Sequence, residues 1–267
     1  MTFAANISLL FTEVDFPLRF DAAARAGFTA VELQFPYAYD KDVLQGALVR
    51  SAVPLVLHNL PAGDWGAGER GIACHPDRVA EFEAGVAQAI EYATALGCRQ
   101  LNCLAGRVPA HVEPQHATDT LIRNLRYAAP RLADAGIRLL IEPVNTLDVE
   151  RFLVSRTGQA LEIIDAAACG NLFLQYDVYH MHRMGEDVNA EIEGALARIG
   201  HVQIADDPGR HEPGTGAIDF ASLFRLLHNR GYAGMVGCEY LPLGRTEEGL
   251  GWRQQFVPQS ESDRSLR

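Results

Sequence analysis

The feature that most constrains this chain is a unit repeated from end to end: a short apolar run, a longer amphipathic stretch, and a glycine before the next apolar run. Ala26-Gly27, Leu96-Gly97, Ala135-Gly136, Cys169-Gly170 and Arg230-Gly231 all stand at that junction. A glycine in the left-handed conformation stops a helix there before a strand begins. Strands are read at Phe3–Ser8, Ala30–Phe35, Pro54–His58, Gln100–Leu104, Ile137–Glu142, Leu172–Asp177, His201–Ala205 and Met235–Glu239. The helical stretches between them are Pro17–Ala26, Lys41–Ser51, Pro76–Leu96, Ala117–Ala135, Ser155–Ala168, Val188–Ile199 and Phe220–Arg230. Eight such strands in 267 residues close most simply as an α/β, single-domain (β/α)8 TIM barrel. A doubly wound open sheet is the alternative, but no GxGxxG follows the first strand. The barrel is expected over 1–258, with a polar tail over 259–267.

Composition excludes several partners. The net charge of −11 opposes a surface that holds nucleic-acid phosphates. No apolar run approaches the roughly 18 residues of a membrane helix. The first residues, MTFAANIS, lack the basic segment of a secretory signal. The five cysteines (Cys74, Cys98, Cys103, Cys169 and Cys238) are odd in number and include no CxxC pair; Cys98, Cys103 and Cys238 sit in or beside apolar runs, which reads as buried free thiols. A cytoplasmic location is expected. The sequence leaves oligomeric state open and is compatible with a homo-oligomer.

Two connections are unusually long, Asn59–His75 after the third strand and Asp206–Asp219 after the seventh. Both leave the C-terminal end of a strand, the end of a barrel that carries the active site. There too the strands of the second half end on metal-binding side chains: Glu142, Asp177, Gln203 and Glu239. Their separations of 35, 26 and 36 residues are each one βα unit, so the four should converge at the barrel mouth. Three carboxylates and an amide oxygen suit one hard divalent cation, Mg2+ or Mn2+. Without one the carboxylates would raise each other's pKa. His180, three residues past Asp177, and His58, ending the third strand, are candidate substrate contacts; His201 is read as structural, deeper in the barrel. Arg70 and Arg210, one on each long loop, are candidates to bind a substrate carboxylate bidentately.

At these residues the sequence resembles the hydroxypyruvate isomerase family, within the xylose-isomerase-like TIM barrels. The resemblance runs through FAANISLLFTE, VELQFPY, LHNLPAGDWGAGERGIACHP, IEPVN, QYDVYHM, HVQIADDPGRHEPGTG and GCEY. It implies interconversion of hydroxypyruvate and tartronate semialdehyde, or, in a closely similar group, isomerisation of 2-oxo-tetronates. It places the metal site on Glu142, Asp177, Gln203 and Glu239, and the acid/base pair on Glu142 and Glu239. The expected enzyme is a metal-dependent intramolecular oxidoreductase moving a proton along a small oxo acid. A ketose 3-epimerase, a metal-dependent nuclease and a non-catalytic binding barrel are the competing readings.

Overall fold

The computed structural model describes residues 1–255, so the expected boundary at 258 and the tail 259–267 lie outside the described residues. All eight expected strands form: β1 (Phe3–Asn6), β2 (Ala30–Glu32), β3 (His58–Asn59), β4 (Gln100–Cys103), β5 (Arg138–Ile141), β6 (Leu172–Asp177), β7 (Ile199–Ile204) and β8 (Val236–Cys238). They pair in parallel in the order β2-β1-β8-β7-β6-β5-β4-β3. The remaining seam, between β2 and the segment leading into β3, carries the bridge Val31–Leu55. Val31 N donates to Pro54 O at 3.0 Å, Val56 N to Val31 O at 2.9 Å and Leu33 N to Leu57 O at 3.1 Å. The sheet thereby meets itself as a barrel.

The helices are α1 (Phe16–Arg25), α2 (Lys41–Ser51), α3 (Val79–Leu96), α4 (Pro114–Asp134), α5 (Thr157–Ala167), α6 (Val178–Arg183), α7 (Val188–Ala195) and α8 (Phe220–Asn229). Aspartates open four of them: Asp177 caps α6, and Asp40, Asp187 and Asp219 accept from the backbone N–H groups of Asp42, Ala190 and Ser222. Each satisfies a donor that the first helical turn leaves without a partner. The expected left-handed glycine is present at four junctions, as at Gly97 with φ 68°. Gly170 departs from it. There α5 stops earlier, and Ala168 takes the left-handed turn at φ 53°.

Helix α6 was not expected, because it starts with no intervening loop. Asp177 both ends β6 and caps α6, its carboxylate accepting from Tyr179 N at 2.8 Å and His180 N at 3.4 Å. No helix among the described residues is long and apolar enough to cross a membrane.

The period of two along each strand sorts the core into two regions. One set of side chains, including Leu101, Cys103, Tyr176, Val202 and Ile204, is apolar and buried in the core shared by strands and helices. The alternate positions carry Asn6, Glu32, Asn102, Gln175, Asp177, His201 and Gln203, all 2% exposed or less, and hydrogen bonds join Asn6, Glu32, Gln175, His201 and Gln203 into one network. The barrel interior is therefore polar, and each of its buried donors and acceptors needs a partner.

Candidate active site

The register of β5 through β8 places Glu142, Asp177, Gln203 and Glu239 at the same end of adjacent strands, with Asp177 directly opposite Gln203. Ligand atoms of Glu142, Asp177 and His180 lie within 4.8 Å of one another. Asp177 Oδ2 is buried with no hydrogen-bond partner, although His180 and Arg210 each approach it to 3.6 Å. A buried carboxylate oxygen without a partner is costly, and a divalent cation is the group that would satisfy it. The donor set fits a hard ion.

The two glutamates are held differently. Asn102 Nδ2 donates to Glu142 Oε2 at 2.7 Å. Glu239 Oε1 accepts from Asn6 Nδ2 and Gln34 Nε2, both at 3.1 Å, while Arg210 donates to Oε2 at 2.7 Å. Burial and the neighbouring Glu239 and Asp177 charges hold the Glu142 carboxyl well above the usual range. Burial pushes Glu239 up to about 7, against the opposing pull of Arg210. Burial likewise raises Asp177, again opposed by Arg210. Arg210 itself is disfavoured as a cation by burial, but Glu239, Asp177 and Glu142 outweigh that and raise it. Its backbone is left-handed at φ 58°, a conformation that costs an ordinary residue about 1–2 kcal/mol. The hydrogen bond from Leu241 N to Arg210 O, 2.8 Å, helps to hold it there.

His180 is 4% exposed, and burial together with Arg210 and Arg183 lowers its pKa well below the usual value. Asn145 Nδ2 lies 2.7 Å from its Nδ1 and donates to it. The ring proton then sits on Nε2, 3.6 Å from Asp177 Oδ2. That tautomer makes His180 a donor toward a substrate oxygen more readily than a metal ligand, despite its place in the three-residue cluster. Arg70 stacks on Trp65 at 4.1 Å and commits one nitrogen to the Trp65 and Glu69 carbonyls. Glu142, Glu239, His180, Arg70 and Arg210 together line a cavity of about 100 Å³, with Gln34, Asn59 and Trp65 among its other walls.

Three expected residues sit apart from that lining: Asp177, His58 and Gln203. His58 is fully buried, its Nδ1 3.0 Å from Asn59 O and its Nε2 without a partner. Gln203 lies below the cavity, donating from Nε2 to Glu32 at 2.7 Å and accepting at Oε1 from Gln175 at 2.6 Å. His201 lies deeper, as expected, 2.6 Å from Glu32 Oε2. The reading of the chain missed Glu32, Asn6, Gln34 and Asn102. Their signal was present: polar residues set among apolar ones in FAANI, AVELQ and QLNCL, at the inward step of the strand period.

Comparison with known proteins agrees with this architecture. The xylose isomerase-like TIM barrel family matches residues 20–256. The chain is 51% identical to a hydroxypyruvate isomerase of Escherichia coli strain K12, over 96% of this chain and 99% of that protein. It is 38% identical to a 2-oxo-tetronate isomerase of Cupriavidus necator, over 96% of this chain and 98% of that one. A crystal structure of an AP endonuclease, family 2, from Brucella melitensis superposes with a TM-score of 0.92 at 42% identity, over 96% of this chain and 98% of that chain. With likeness of this degree along nearly its whole length, the chain belongs to the xylose isomerase-like TIM barrels, among the hydroxypyruvate and 2-oxo-tetronate isomerases, and is an isomerase.

Proposed function

We propose that the chain isomerises a small 2-oxo-3-hydroxy acid by moving a proton between carbons 3 and 2, with hydroxypyruvate and tartronate semialdehyde as the favoured pair. The observation that carries this reading is the pairing of two buried glutamates with two arginines around one small cavity. A volume of about 100 Å³ is well below the roughly 300–1,000 Å³ of drug-sized ligand sites and suits a three- or four-carbon acid better than a hexose. The identity to the Escherichia coli enzyme favours hydroxypyruvate. A 2-oxo-tetronate is the second candidate, favoured by relatives at 38% and 40% identity.

Glu142 and Glu239 directly follow β5 and β8, so they approach the cavity from separate parts of the barrel wall. Their raised pKa values allow one to act as a base while the other keeps a proton to return, the division that proton transfer between neighbouring carbons needs. Asn102 fixes the Glu142 carboxylate, and Asn6 and Gln34 fix that of Glu239. Arg70, with guanidinium donors left over, takes the substrate carboxylate; Arg210 neutralises the acid cluster. His180 is proposed as a further substrate contact through its Nε2 proton; His58, expected in the same role, is completely buried outside the cavity lining and is not. Glu142, Asp177, Gln203 and Glu239 would hold a single Mg2+ or Mn2+. Such an ion would supply Lewis-acid stabilisation of the charge that develops on the substrate oxygens. The free cysteines among the described residues fit a reducing, cytoplasmic location.

The test is a substrate panel on chelator-treated protein, before and after Mg2+ or Mn2+ is added, with isomer appearance followed by NMR in D2O. It would compare hydroxypyruvate, 2-dehydro-erythronate, fructose and an abasic-site DNA duplex. Metal-dependent turnover of one oxo acid is expected. Turnover of fructose alone, or cleavage of the duplex without oxo-acid turnover, would overturn the proposal. The net charge of −11 already opposes the duplex.

A further inference from the structure

Below the cavity the barrel interior holds a carboxylate with no part in the chemistry so far described. Glu32, in β2, is completely buried. It accepts from three donors on two other strands, Asn6 Nδ2 of β1 at 3.0 Å and, from β7, His201 Nε2 at 2.6 Å and Gln203 Nε2 at 2.7 Å. The fold is shaped around it. Gly237, opposite Gln203 in the β7–β8 ladder, has no side chain because a Cβ there would collide with the Glu32 carboxylate. A buried charge on a bare wall of backbone is expensive unless its acceptors are filled, and here two of its three donors also reach the residues of the site.

Gln203 is one of them. An amide has one donating and one accepting end, and a carboxylate accepts only. Glu32 therefore takes the Nε2 end and leaves Oε1, with two lone pairs, as the only acceptor of the side chain. Gln175 fills one of those lone pairs at 2.6 Å, which leaves the other for an ion. Asn6 is the second, since its Nδ2 donates to Glu32 and to Glu239 Oε1 at 3.1 Å. One carboxylate thus sets the orientation of an amide on β7 and, through Asn6 on β1, of a catalytic acid at the end of β8 between them.

We propose that Glu32 is a positioning residue for the metal site: it locks the Gln203 amide with its oxygen available to the cation and, through Asn6, holds Glu239 in place. The proposal rests on the reading of Gln203 as a metal ligand. Partners that orient ligands in this way typically contribute about 10–100-fold in metal affinity.

The experiment is titration calorimetry of Mn2+ into chelator-treated wild type, Glu32→Gln, Gln203→Ala and the double variant, with circular dichroism to follow the fold. Replacing the carboxylate by an amide removes one acceptor and allows Gln203 to turn over. Glu32→Gln should lower Mn2+ affinity roughly tenfold or more in the wild-type background, and less than about twofold once Gln203 is alanine, because positions that act through one another are not additive. Wild-type affinity in Glu32→Gln, or equal losses in both backgrounds, would overturn the role of Glu32 while leaving the metal site standing. A wild type that binds no Mn2+ would overturn the metal reading, and this proposal with it. A second variant, Glu32→Asp, keeps the charge that faces His201 and Asn6 but retracts it by one methylene; it should fold and lose affinity in the same Gln203-dependent way. Failure of both variants to fold would show Glu32 to be structural and overturn the proposal.

Discussion

At the scale of single residues the two glutamates carry the sharpest expectation. Glu142→Gln and Glu239→Gln should each lower kcat by about 10²–10⁴-fold, the usual range for a general acid or base, while the circular dichroism spectrum stays that of the wild type. Near-wild-type turnover in both would refute the acid/base assignment. His58 makes a separate, pH-dependent prediction. Burial lowers its pKa from 6.5 to about 4, so between those values the unfolded chain binds a proton that the folded chain refuses. Its contribution is complete above about 6.5 and lost as pH falls toward 4, up to about 3 kcal/mol in all. Urea denaturation of wild type and His58→Asn at pH 7.5 and pH 4.5 isolates that term. The stability difference between the two proteins should move toward the variant at low pH, and a difference independent of pH would refute the burial argument.

At the scale of elements, the two long loops are tied down rather than loose. The loop after β3 is pinned by Leu60 N to Asn102 O at 2.8 Å, Cys74 N to Ala105 O at 2.8 Å and Asn124 Nδ2 to Ala73 O at 2.8 Å. Gly71 and Gly106 allow its backbone to touch the loop after β4, and a Cβ on either would strike the other segment. The loop after β7 is organised by one side chain. Asp206 is completely buried and accepts from the backbone N–H groups of Asp207, Gly214, Gly216 and Ile218 at 2.8–3.1 Å. Asparagine would turn a donor toward two of those four and leave them unmatched, at about 1–3 kcal/mol each. Asp206→Asn should lower Tm by roughly 5–10 °C and reduce kcat/KM, because the same loop carries Arg210 to Glu239. Unchanged Tm and kinetics would show that the loop does not depend on Asp206.

At the scale of the molecule, a cation should act as a folding ligand. Burial raises the pKa values of Glu142, Asp177 and Glu239, neighbouring carboxylates add to it, and Arg210 offsets it only in part, whereas a bound divalent ion favours the native chain alone. Mn2+ at 100 times its Kd should add about 2.7 kcal/mol, read as a rise in Tm of roughly 5–10 °C by scanning calorimetry. Binding requires the carboxyls to shed their protons, so the gain should be larger at pH 8 than at pH 5.5. Asp177→Asn should abolish most of it. An equal Tm with and without Mn2+ at both pH values would argue against a cation at this site.

What the sequence by itself determined was the periodic part. Helix stops and apolar runs are local signals, so all eight strands, seven of the eight helices and the barrel they close were legible from neighbours along the chain. The strand-end acids were legible for the same reason, since a βα unit of nearly constant length brings residues about thirty apart to one rim. Helix α6 escaped because Asp177 ends a strand and caps a helix at once, with no turn residues between to announce the change. Tertiary structure decided who holds whom. Glu32 meets His201 and Gln203 across 169 and 171 residues, and Asn6 meets Glu239 across 233. Hydrogen bonds act over about 3 Å, and nothing in the spacing of residues so far apart reveals such contacts. Only closure of the barrel, which brings β1, β2, β7 and β8 around one interior, sets the depth of each inward side chain and with it the partner it can reach.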